Sequence, residues 1–234
     1  GRGAVANPKA SARTPRNPKR KSPAHHRQRL KHLPDQWLET LFEATKRPDH
    51  KRALAVMILT GCRPCALERG IRVSLEPEGL VIERPGEKGA RGQALRAVFD
   101  PETGPFADAL AESLGYRLGT ACTVALPVRT VEDFVARLAR HTIAAHVTPM
   151  VIRAQVIADL KAANTSRSWI IALVGQISER SLRAYGTAHQ GDARRRHLSY
   201  VEWRRESLPG PDIDQQPAVA SAPSHTTDAF DNAD

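Results

Sequence analysis

Between Ile71 and Phe99 the helical spacing that governs most of this chain gives way to three short apolar runs. They are IRVSL, LVIERP and ALRAVF, separated by a Glu-Pro-Glu-Gly turn and by Gly-Glu-Lys-Gly-Ala-Arg-Gly. Runs of that length, rich in branched side chains and bounded by glycine and proline turns, predict antiparallel strands. No other passage reads convincingly as sheet. The chain is thereby constrained to a mainly α fold with a small antiparallel sheet inserted early, an α+β arrangement.

The remaining elements read at a period of 3.6 residues. Leu33, Trp37, Leu38, Leu41 and Phe42 share one face of the first helix, with Asp35 near its start, and DHKRALAVMILTG is apolar enough to be central. Helical patterns follow at PFADALAESLGYRL, VEDFVARLARHTI, TPMVIRAQVIADLKAA and SWIIALVG. A short one is expected from Ser181 to Tyr185, and a last helix over ARRRHLSYVEWRRE. At 234 residues and 41% hydrophobic content, one sizeable core is the expectation, over residues 33–205.

Two tails flank that core. Residues 1–32 carry ten Lys or Arg and no acid, with almost no large apolar side chain, and are expected to be a disordered basic tail. Residues 206–234 carry six acids and neither Lys nor Arg, and read as an acidic disordered tail. With the whole chain at +10, the body between them keeps a net +6. Basic residues on tail and body favour a polyanion, because cations that neutralise phosphates release condensed counterions. No apolar run approaches the roughly 18 residues needed to span a bilayer, so a soluble, cytoplasmic, DNA-associated protein without membrane contact is expected. Cys62 and Cys65 form Cys-Arg-Pro-Cys without a second such pair, which favours packed helix residues over a redox or zinc site.

Four residues carry chemistry in combination: Arg63, Lys88, Arg153 and Tyr185. A tyrosine phenolate attacks a phosphodiester to give a phosphotyrosine that conserves the bond energy for rejoining. Two guanidiniums grip non-bridging phosphate oxygens bidentately and stabilise the pentacoordinate transition state. A lysine on a hairpin protonates the departing 5′ oxygen. Such chemistry requires no metal ion and no other cofactor. Taken singly, each residue has an ordinary reading as a cap, a surface cation, a half-buried phenol or an exposed turn residue.

In order and interval, these residues resemble the tyrosine recombinases, or phage integrases, across residues 33–190. Leu59-Thr60-Gly61-Cys62-Arg63 resembles the family's Leu-Thr-Gly-Leu-Arg, and Lys88-Gly89 its hairpin Lys-Gly. Thr148-Pro149 with Ile152-Arg153 resembles Thr-Pro-His-x-Leu-Arg. Leu173-Val174-Gly175-Gln176, with Tyr185 nine positions later, resembles Leu-Leu-Gly-His and its tyrosine. The resemblance implies an integrase-like catalytic fold that cuts and rejoins DNA through a 3′-phosphotyrosine at Tyr185. It gives Arg63 and Arg153 as phosphate clamps and Lys88 as general acid.

Three positions depart from the family. Met150 stands where it has a histidine, Gln176 where it has a histidine or tryptophan, and Ala66 where it has a glutamate. A thioether relays no proton, whereas an amide still donates to a phosphate. His146, four residues before Met150, is a candidate to substitute in part for the missing histidine, although it precedes Pro149, the expected first position of the helix. The alternative is therefore a recombinase-fold DNA-binding protein without catalysis; a type IB topoisomerase and a basic RNA-binding protein are further rivals. Arg91, Arg194, Arg195 and Arg196 are candidate contacts to double-stranded DNA. By resemblance, the aromatic segment after them docks onto a neighbouring protomer in a homo-oligomer on DNA. The family's DNA-clamping helical domain has no counterpart here; either it precedes Gly1 or the basic tail takes over part of its grip.

Overall fold

The computed structural model describes residues 24–85, 93–175, 182, 183, 185–195 and 197–205. Helices α1 (Ala24–Leu30), α2 (Trp37–Ala44), α3 (Pro48–Thr60) and α4 (Pro64–Glu68) lead into strands β1 (Ile71–Glu76), β2 (Gly79–Arg84) and β3 (Gln93–Phe99). Helix α5 (Pro105–Ser113), strand β4 (Ala121–Val124), and helices α6 (Val128–Thr142), α7 (Pro149–Ala162) and α8 (Arg167–Val174) follow, and β5 (Leu198–Arg205) comes last. Proline at the first position of α3, α4, α5 and α7 starts each helix where the missing N–H leaves no bond unmade. Helix α1 falls inside the segment that composition alone assigns to the basic tail, and its Leu30 is buried in the core.

Five antiparallel strands in the order β4-β1-β2-β3-β5 form a single sheet. The three central strands are those predicted from Ile71 to Phe99. The helix expected over ARRRHLSYVEWRRE is instead β5, paired with β3 from Gln93↔Arg205 to Phe99↔Leu198. The cause of the misreading is local. A register shift at Val98/Phe99 inserts one extra residue in β5, so its inward side chains Leu198 and Val201 lie three apart. Three is a helical interval, and the pairing partner lies a hundred residues upstream. That segment is thus committed to its own sheet rather than presented as a helix to a neighbour.

Helix α7 is the axis of the core. Its hydrophobic residues from Val151 to Leu160 are buried on every side, the pattern of a central helix rather than an amphipathic one. Three polar side chains, Arg153, Gln155 and Asp159, are buried with them. Buried polar groups need partners, and the partners of these three build the rest of the site.

Candidate active site

Arg153 has no solvent exposure, and its Nη1 donates to the Gly61 carbonyl oxygen at 2.6 Å. That charge-assisted bond ties α7 to the end of α3. Gly61 caps α3 at φ 63°, and a Cβ there would lie 3.1 Å from Val156 Cγ1 and 3.2 Å from Val174 Cγ1. Glycine lets the turn between α3 and α4 sit directly on α7 and α8. Arg63, two residues on, is the exposed residue that precedes α4. The two arginines 90 positions apart in the chain are therefore referenced to one turn.

Tyr185 is 7% exposed, with its ring centroid 6.0 Å from Arg153 Cζ. This is the outer limit of a cation–π contact. Its segment is laid against α7 by the next residue, since a Cβ on Gly186 would stand 2.7 Å from Ala158 Cβ and 2.9 Å from the Ala154 carbonyl oxygen. Lys161, also on α7, donates from Nζ to the carbonyl oxygens of Leu182 at 2.8 Å and Gly186 at 2.7 Å. Burial holds the Lys161 ammonium below the usual lysine range, with the positive charge of Arg27 acting in the same direction.

Arg84, a buried side chain at the end of β2, stands four positions before Lys88. Its Nη2 donates to the Ala172 carbonyl oxygen at 3.4 Å, at the negative end of α8. Gly175, at φ 63°, closes α8 against the same guanidinium; a Cβ there would be 2.7 Å from Arg84 Nη2. Lys88, Arg91, Gln176 and Arg196 themselves lie outside the described residues.

At the departing positions, Met150 is half-buried and packed on the core, and Ala66 is fully buried. His146 is exposed and its Nδ1 accepts from Arg29 Nη1 at 3.3 Å. Its role as a stand-in histidine therefore competes with a contact to α1. Cys62 is buried and Cys65 exposed, so the two sulfurs occupy different surroundings. Among the described residues, no three His, Cys, Asp or Glu are grouped to hold a metal ion, and no helix is long and apolar enough to cross a membrane.

One expected DNA contact is overturned. Arg195 points inward: Nε donates to Glu39 Oε1 at 2.7 Å, and Nη1 donates to Asp159 Oδ1 and Oδ2 at 3.0 and 3.1 Å. Desolvation opposes its charge, but Asp159 and Glu39 outweigh it and hold the guanidinium above its ordinary pKa. A carboxylate buried on α7 requires such a partner. Arg194 does lie on the surface, with its backbone N–H and its side chain both directed to Asp192. Asp159 also accepts from Gln155 Nε2 at 2.7 Å and from the Asp192 N–H at 2.8 Å. Gln155 Nε2 reaches the Gln190 carbonyl oxygen at 2.7 Å, and the Gln155 amide oxygen accepts from Trp37 Nε1 at 3.3 Å. Sequence reasoning missed Lys161, Gln155, Asp159 and Arg84. For Gln155 and Asp159 the available signal was the polar set itself, since a helix apolar on all sides cannot expose its few polar residues.

A recombinase is similar in structure. The crystal structure of XerA recombinase matches with a TM-score of 0.48 and 19% sequence identity, over 65% of this chain and 59% of that one. The chain thus spans about three fifths of the length of that recombinase. No family model matches the sequence, and no curated protein matches it. At so loose a likeness, the chain's own side chains must carry the functional reading.

Proposed function

We propose that this chain cuts and rejoins DNA strands through a phosphotyrosine at Tyr185. The observation that carries the reading is the convergence of Tyr185, Arg153 and the Arg63 turn on helix α7, from three separate stretches of sequence. The phenol of Tyr185 releases its proton to water, and its oxygen forms a bond to phosphorus as the bond to the 5′ oxygen breaks. The proton of Lys88 goes to that leaving oxygen, and rejoining runs the same steps backwards. Arg63 and Arg153 bear the charge on the non-bridging oxygens. Because Arg153 has no solvent exposure, a phosphate reaches it only when the side chains above it shift. The +10 charge of the chain suits a polyanion, and the phosphotyrosine chemistry assigns that polyanion as DNA.

A pool of nicked suicide duplexes of randomised sequence tests this, since loss of the short fragment beyond the cut traps the adduct. The wild type is expected to yield a DNA-linked peptide containing Tyr185. Tyr185→Phe abolishes it, with DNA affinity changed less than about twofold because no phosphate contact is lost. No adduct, or one that survives Tyr185→Phe, refutes the reading. The second reading, DNA binding by the same fold without cleavage, is favoured by Met150 and Ala66, both packed as structural residues. It requires salt-dependent binding with no adduct from the wild type.

A further inference from the structure

Resting on the reading of Tyr185 as the nucleophile, we propose that Lys161 is a positioning residue that fixes the Tyr185 segment relative to Arg153. A lysine in the last turn of a helix ordinarily reaches the free carbonyls of its own helix. Lys161 does not. Its ammonium collects the carbonyl oxygens of Leu182 and Gly186, 21 and 25 residues further along the chain. These two carbonyls bracket Tyr185, three residues before it and one after, so a single cation closes the segment around the phenol-bearing residue. Two of the three ammonium donors are used in that closure.

The anchoring has a geometric consequence. Lys161 and Arg153 lie eight residues apart on one helix, about 12 Å along its axis. The segment's distance to Lys161 is set by bonds of 2.7 and 2.8 Å, and its distance to α7 by the close approach of Gly186. The phenol is thereby held over Arg153 by parts that belong to the same rigid element. A bond from the Tyr185 N–H to the Leu182 carbonyl, at 3.3 Å, adds a weaker internal constraint to the same turn. An amine on a flexible stem suits this work, because it meets two carbonyls that point along different directions.

The test uses the full chain with Lys161→Met, which keeps the stem and removes the donors, and Lys161→Arg, which restores charge and donors. Trapping is measured in single turnover at saturating DNA and divided by the folded fraction from melting. Lys161→Met is expected to slow adduct formation about 10- to 100-fold, the effect of a nucleophile displaced by an ångström. DNA affinity stays within about twofold, and Lys161→Arg recovers most of the rate. An unchanged rate per folded molecule overturns the proposal, as does a loss confined to stability.

A second readout needs no chemistry on DNA. Nitration by tetranitromethane, mapped by mass spectrometry, reports phenol exposure, with Tyr200 at 43% as the exposed reference. Tyr185 is expected to be protected in the wild type and in Lys161→Arg. In Lys161→Met its nitration rises several-fold towards that of Tyr200. If the wild type forms no adduct, the nucleophile reading fails while nitration still decides the clamp. Protection that persists in Lys161→Met overturns it.

Discussion

Replacing Arg195 by alanine separates the two places a basic residue of this chain can act. The structure buries its guanidinium between Glu39 and Asp159, with three donor contacts of 2.7, 3.0 and 3.1 Å. Asp159 is 1% exposed, so truncation of Arg195 strands a carboxylate in the core. Breaking a buried pair from one side costs about 3–5 kcal/mol. For a domain of this size each kcal/mol lowers Tm by roughly 2–4 °C, so the expected fall is about 6–20 °C. Against a total stability of about 5–15 kcal/mol, that is a large fraction. Thermal melts followed by circular dichroism measure it directly. The pair Asp159→Asn with Arg195→Met removes the stranded charge and is expected to recover more than half of the loss. A surface arginine that contacts phosphate behaves oppositely: Tm hardly moves, and the salt dependence of DNA binding weakens by about one ion. A fall in Tm under 2 °C refutes the burial argument.

Two further perturbations test the frame of the site. Gly175→Ala forces a side chain into a φ of 63° and a 2.7 Å contact with Arg84 Nη2, so a loss of about 1–3 kcal/mol is expected by denaturant titration. An unchanged midpoint would mean that Arg84 does not hold the end of α8. His50 stacks on Phe134 with ring centroids 4.4 Å apart, and burial, chiefly, holds its pKa below 6.5. The neutral ring's contribution to stability is therefore complete above pH 6.5 and falls as acid protonates it below that value. His50→Phe is expected to remove this acid-side loss, seen as a flatter plot of Tm against pH between 7 and 5. A plot that keeps its slope in the variant excludes His50 as the cause.

The local patterns were legible where a side chain's neighbours along the chain decide its fate. Strands β1 to β3 announced themselves by length and turn residues, α6 by period and α3 by its apolar content. Strand β5 did not, because one inserted residue gave Leu198 and Val201 a helical interval and its partner β3 is remote in sequence. For the candidate site, Arg63, Arg153 and Tyr185 were readable as an ordered set, and the structure brings Tyr185 and the Arg63 turn onto the helix of Arg153. Arg195 was misread because three consecutive arginines look like a solvated patch until Asp159 and Glu39 are seen to face one of them. Lys161 was invisible for a related reason. Its partners are main-chain oxygens, which no residue type advertises.

Helix α7 carries one arginine and anchors the tyrosine segment at two points, whereas Arg63 belongs to a neighbouring turn that meets α7 at the Gly61 carbonyl and by packing on Val156. Parts bolted to one beam keep their spacing however the beam is displaced, and only the part mounted elsewhere goes out of alignment. Drift of α7 within the core thus leaves the Tyr185 to Arg153 spacing intact, and misalignment falls at the seam with Arg63. That seam is where a small displacement has the greatest leverage on this chain.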